Sequence, residues 1–98
     1  MKTLWTVWLA FYVIADGDGN REYIGNPALL RAFRNHETAV RYIDDLTANM
    51  NRVEVYDEPN GWYCVEIKEP VDDCIFSPNE QLYTIYQISS TQLDYDES

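Results

Sequence analysis

The second half of this chain is almost without positive charge. Residues 53–98 carry eleven acids and one base, Lys68, whereas residues 1–52 balance six acids against six bases. The whole net charge of −10 therefore belongs to the C-terminal half. Such a field repels DNA, RNA and anionic membranes and steers cationic surfaces toward itself. Direct binding to nucleic acid or membrane is excluded on that ground.

Other scarcities narrow the chemistry. One histidine, His36, and two cysteines, Cys64 and Cys74, fall short of the closely spaced ligands of a zinc site. Two cysteines allow a disulfide but do not make a secreted framework, so reduced structural thiols and a cytoplasmic protein are expected. A Cys–His nucleophile needs a thiol activated by positive neighbours, and acidic surroundings act in the opposite direction. No nucleophile elbow, phosphate loop or dinucleotide fingerprint occurs. Asp16, Asp18 and Asn20 match the first ligands of an EF-hand loop, but Arg21 stands where Gly is required. Pro27 likewise replaces the bidentate Glu. The pairs Asp44/Asp45, Asp57/Glu58 and Asp72/Asp73 are adjacent in sequence and so diverge in space, which does not suit a glycosidase. The expectation is no enzyme, no cofactor and no metal.

Long hydrophobic runs are missing too. The apolar segment from Leu4 to Ala15 is too short to cross a membrane as a helix. It follows Lys2 as a signal core would, but it holds Trp5, Trp8, Phe11 and Tyr12 and alternates with period two. Trp5, Val7, Leu9, Phe11 and Val13 make one unbroken apolar face, which predicts a long interior strand.

What remains describes one small folded domain. Ninety-eight residues with 46% hydrophobic and 14% aromatic content suffice for one core. Asp16–Asn20 predicts a turn, and Arg21–Ile24 a short returning strand. Asn26-Pro27 has the form of an N-cap and first helical residue, so Ala28–Phe33 is expected to be a short helix. The main helix is predicted over about 36–50, where Ala39, Val40, Ile43, Leu46 and Met50 form a stripe. Val53–Tyr56 and Trp62–Lys68 flank an Asn60-Gly61 turn and predict a hairpin. Val71–Phe76 is expected to be a loop. Ser77-Pro78-Asn79-Glu80 could open a helix as a capping box, but the alternation of Leu82, Thr84, Tyr86 and Ile88 favours a strand. The predicted architecture is α+β: an antiparallel sheet of four to five strands with one main helix, about 36–50, packed on one face. It occupies 1–98 as a single acidic domain with a frayed acidic tail at about 92–98.

Acids crowded into one half repel one another and lower stability, so their persistence points to a use. Aromatics run through the same half, and Tyr or Trp beside carboxylates makes a contact surface for arginine-rich partners. The expected function is a small acidic binding protein, a stoichiometric inhibitor whose carboxylates mimic nucleic-acid phosphates. Its partner would be a basic, nucleic-acid-handling protein. The predicted partner-binding residues are Glu54, Asp57, Glu58, Glu66, Glu69, Asp72 and Asp73, with Trp62 and Tyr63 as anchors. Small size, acidity and missing catalytic motifs are together similar in character to phage-encoded anti-restriction and anti-CRISPR proteins, with no shared motif. The alternatives are an immunity or antitoxin protein neutralising a basic toxin, and a structural or assembly subunit. A homodimer is compatible with the composition.

Overall fold

The computed structural model describes residues 2–15, 20–59, 61–69 and 80–93. In chain order these form β1 (Lys2–Ala15), β2 (Arg21–Phe33), α1 (His36–Leu46), β3 (Arg52–Asp57), β4 (Tyr63–Lys68) and β5 (Glu80–Leu93). All five strands join one sheet in the order β2-β1-β5-β4-β3, with every neighbouring pair antiparallel. The α+β architecture with one helix on a five-stranded sheet is therefore the fold.

The longest ladder joins β1 to β5, from Lys2 opposite Leu93 to Ala15 opposite Glu80. Alternation in both segments decides the register: Val7, Leu9 and Phe11 share a face with Ile88, Tyr86 and Thr84. That face packs on α1 around Val7, Ala39, Ile43, Tyr63, Val65, Ile67, Tyr86 and Ile88. Ala39 and Ile43 lie on one side of the helix four residues apart, and both are fully buried. The strand expected over 82–88 is present and runs to Leu93, so Gln92 and Leu93 belong to β5. Residues 94–98 lie outside the described residues.

Two helical expectations need correction. Ala28–Phe33 is not a helix but the second half of β2, with Leu29 opposite Trp8 and Phe33 opposite Trp5. Asn26 and Pro27 fall in an irregularity where the register shifts between Leu9 and Phe11. Proline is tolerated there because β2 is an edge strand, where a missing N–H disrupts no inner ladder. The long β1 offers a continuous pairing edge, and that overrides the local cap signal. The main helix is shorter than expected. It begins where the Asn35 side chain accepts a hydrogen bond from Glu37 N at 2.8 Å, and it ends at Leu46. Thr47 closes it, its hydroxyl donating to the Ile43 carbonyl at 2.8 Å. Leu46 and Met50, placed by the stripe in the core, are exposed.

The turn expected at Asp16–Asn20, the Val71–Phe76 loop and the capping box at Ser77–Glu80 fall wholly or mainly outside the described residues. Among those residues, no helix is long and apolar enough to span a membrane.

Candidate partner-binding surface

The β3–β4 hairpin gathers most of the described acids of the second half. Its turn closes through Glu58 N donating to the Trp62 carbonyl at 2.9 Å and Gly61 N donating to the Glu58 carbonyl at 3.0 Å. β3 is the edge strand, and Glu54, Asp57 and Glu58 are exposed on it or just past its end. Val53 and Val55 are exposed on the same strand, and Leu46 and Met50 at the helix end before it. At the start of β3, the guanidinium of Arg52 bonds to the helix end. Nε donates to Thr47 Oγ1 at 3.0 Å and to the Thr47 carbonyl at 3.2 Å, and Nη2 to the Asp44 carbonyl at 2.7 Å. Arg52 therefore locks the helix end to β3 through neutral acceptors and retains its own positive charge at the start of that strand.

Beside the rim lies a cleft of about 280 Å³ lined by Trp5, Gly61, Trp62, Ile88, Ser89 and Ser90. It opens where the β4–β5 ladder stops at Cys64–Gln87 while β5 continues to Leu93. The Trp5 ring meets His36 edge-on with centroids 4.6 Å apart. His36 Nε2 lies 2.6 Å from the Gly61 carbonyl, which ties the start of α1 to the hairpin turn. Gly61 has φ +95°, and a Cβ there would come within 2.9 Å of Trp5 Cη2. Only glycine brings this turn so close to the indole. Trp62 is exposed at the rim and inclines against Tyr56 at 5.8 Å.

Away from the helix, the sheet face holds a different kind of interior. Ala10, Tyr12, Cys64 and Ile85 are buried there, flanked by Ile14, Tyr56 and Tyr83. Glu66 is 4% exposed on this face, and Arg21 Nη1 lies 2.9 Å from its Oε1. No hydrogen bond of good geometry reaches that oxygen, so the contact is an ion pair more than a directional bond. Arg21 sits on β2 and Glu66 on β4, three strands apart. A flat sheet would hold those strands about 14 Å apart, beyond the reach of an arginine side chain. The sheet therefore coils over this face. The guanidinium stacks on Tyr12 at 4.7 Å, and Tyr12 stacks on Tyr83 at 5.1 Å. Burial, reinforced by a hydrogen bond to Glu66, raises the Tyr12 hydroxyl well above its ordinary pKa. Burial, with the nearby Glu66 charge, pushes the Cys64 thiol up to about 12. A thiol held so firmly protonated is no nucleophile.

The sequence-selected residues divide accordingly. Glu54, Asp57, Glu58 and Trp62 share one exposed hairpin. Glu66 and Tyr63 do not belong to that surface: Glu66 is buried against Arg21, and Tyr63 is 6% exposed with its hydroxyl donating to Asp44. Burial and that bond push the Tyr63 hydroxyl up to about 12. Glu69 is half-buried at the far end of β4, where its Oε1 accepts from Thr84 at 2.8 Å. Asp72 and Asp73 lie outside the described residues. Sequence reasoning missed Trp5, Gly61 and the Ser89–Ser90 segment as surface, although an Asn-Gly turn beside a tryptophan was a usable signal. Searches of protein-family models, curated proteins and solved structures returned no match to this chain.

Proposed function

We propose that this protein is a small acidic binding protein, a stoichiometric inhibitor that occupies the basic groove of a nucleic-acid-handling protein with its β3–β4 rim. The observation that carries the reading is the hairpin rim itself. Glu54 and Asp57 are exposed on the edge strand β3, and Glu58 in the turn that leads to Trp62, in the half of the chain that holds the entire net charge of −10. Exposed carboxylates rimming an exposed aromatic suit an arginine- and lysine-rich surface, which they reach under electrostatic steering. The sheet presents Glu54 and Asp57 without the ordering cost of a loop, and a hydrogen-bonded turn holds Glu58 beside them.

The test is a complex isolated from lysate at low salt, purified to defined stoichiometry and challenged with duplex DNA and RNA. Phosphate mimicry predicts that salt dissociates the complex steeply and that nucleic acid competes for the same site. Replacing Asp57 and Glu58 with lysine together is expected to slow association at least about tenfold, in keeping with the steering range of surface charge. A stoichiometric complex that neither salt nor nucleic acid disturbs would overturn mimicry and leave the toxin-neutralising alternative.

One observation favours a second reading, self-association. Tyr23, Ile24, Leu29 and Leu30 are exposed on the other edge strand, β2, and free apolar edges invite pairing with a second copy. Sedimentation across a range of concentrations distinguishes this: a subunit reading requires a dimer, and the inhibitor reading does not.

A further inference from the structure

The edge of β5 beyond Gln87 carries an inference that deepens the proposed function and rests on it. Among the described residues, β5 beyond Gln87 pairs with β1 on one side and with no strand on the other. Ser89, Ser90, Thr91 and Gln92 are exposed along that stretch. That side of β5, which holds no strand among the described residues, continues the line of β4, and the cleft between Trp5 and Trp62 opens at its head. Glu58 stands in the same turn as Gly61 and Trp62, and Asp57 pairs with Tyr63 at the start of β4.

We propose that an extended, arginine-bearing segment of a basic partner adds as a strand beside β5 over residues 88–93, with one arginine side chain in the Trp5–Trp62 cleft. Main-chain bonding to a sheet edge supplies affinity, and a side-chain pocket beside it supplies specificity. At about 280 Å³ the cleft falls just below the range of ligand and cofactor sites, roughly 300–1,000 Å³, and suits one long side chain. Two indoles flank that space, and a planar guanidinium stacks on aromatic rings better than an ammonium does. Carboxylates on the adjacent turn complement its charge. Asp57 and Glu58 thus draw the segment in, while the β5 edge and the two tryptophans orient it.

The experiment uses the full chain, labelled with ¹⁵N, and three synthetic hexapeptides at low salt. One alternates arginine with valine, one substitutes lysine for arginine, and one is the arginine peptide with alternate backbone amides N-methylated. The expected result is amide shifts at Ser89–Gln92 and indole shifts at Trp5 and Trp62 with the arginine peptide. Binding should be at least about fivefold weaker for the lysine peptide and about tenfold weaker for the N-methylated one. Trp62→Ala should remove the arginine preference, and Trp62→Phe should retain part of it. Equal affinity for all three peptides, or shifts confined to Glu54–Glu58, would overturn the strand-addition site while leaving the acidic rim as a docking surface. Failure of every cationic peptide to bind would overturn the rim as well.

Discussion

The β3–β4 hairpin holds carboxylates in two opposite situations, and the contrast explains much of the molecule. Glu54 and Glu66 face each other directly across the ladder, an arrangement that destabilises a sheet when both are charged. On the interior side, Glu66 is buried and paired with Arg21, which crosses from the far edge strand. At the rim, Glu54, Asp57 and Glu58 stay in solvent. The four acids of this hairpin therefore do different things: Glu66 fastens the coil of the sheet, and Glu54, Asp57 and Glu58 form an anionic edge. Net charge alone does not distinguish them. Position relative to Arg21 does.

The largest effect should come from breaking the inner half of that contrast. Arg21→Ala leaves the buried Glu66 carboxylate without its cation; with the guanidinium itself 40% exposed, the cost is about 2–3 kcal/mol, less than for a fully buried pair. Urea denaturation monitored by tryptophan fluorescence checks it. The paired replacement Arg21→Met with Glu66→Leu should recover most of the loss, because the desolvated charges go together. If the single and double variants were equally unstable, Arg21 would matter through packing rather than charge.

Next in size is the turn that shapes the rim. Gly61→Ala puts a Cβ 2.9 Å from Trp5 Cη2 and strains a residue at φ +95°. A loss of about 1–3 kcal/mol is expected, together with a shifted Trp5 indole resonance. A change in stability with Trp5 unmoved would mean that the strain, not the contact, sets the cost.

Alkaline pH sharpens the comparison from the interior side. Cys64 and Tyr63 both bind their protons more tightly in the folded protein, with pKa values pushed up to about 12. Their unfolded values lie near 8.5 and 10, so the unfolded chain releases these protons first. Stability is therefore complete below about pH 8.5 and falls as pH rises toward 12. Cys64→Ala should delay the onset of that fall to about pH 10, where the tyrosines begin to titrate. Denaturation midpoints between pH 7 and 11.5 measure it. Stability that rose over this interval would contradict the burial of both groups.

Smallest should be the effect of the rim on folding. Glu54→Gln and Asp57→Asn alter exposed side chains and should move stability by no more than about 0.5 kcal/mol. Glu54→Gln, by removing the repulsion opposite Glu66, should move it upward.

Much of the architecture was legible in the chain. Period-two patterning in residues 4–15 and 82–88 identified β1 and β5, and the apolar spacing at Ala39, Val40 and Ile43 located the helix. Asn26-Pro27 misled, because the same dipeptide serves a helix start and an irregular edge strand, and only the pairing with β1 decides between them. The acidic rim was half legible. Glu54, Asp57, Glu58 and Trp62 were selected from local composition, but Glu66 and Tyr63 could not be told apart from them. Their burial depends on Arg21 and on Asp44 in α1, partners distant in sequence that the coil of the sheet and the helix bring close. The cleft at Trp5 was hidden for the same reason, since Trp5 and Gly61 meet only through the fold.

The most direct test of this division is the salt dependence of partner binding by Asp57→Lys/Glu58→Lys beside the unmodified protein, both confirmed folded. The account predicts weaker binding by the variant and a shallower fall of log affinity with log salt, at unchanged thermal stability. An identical affinity and slope for the two proteins would contradict it.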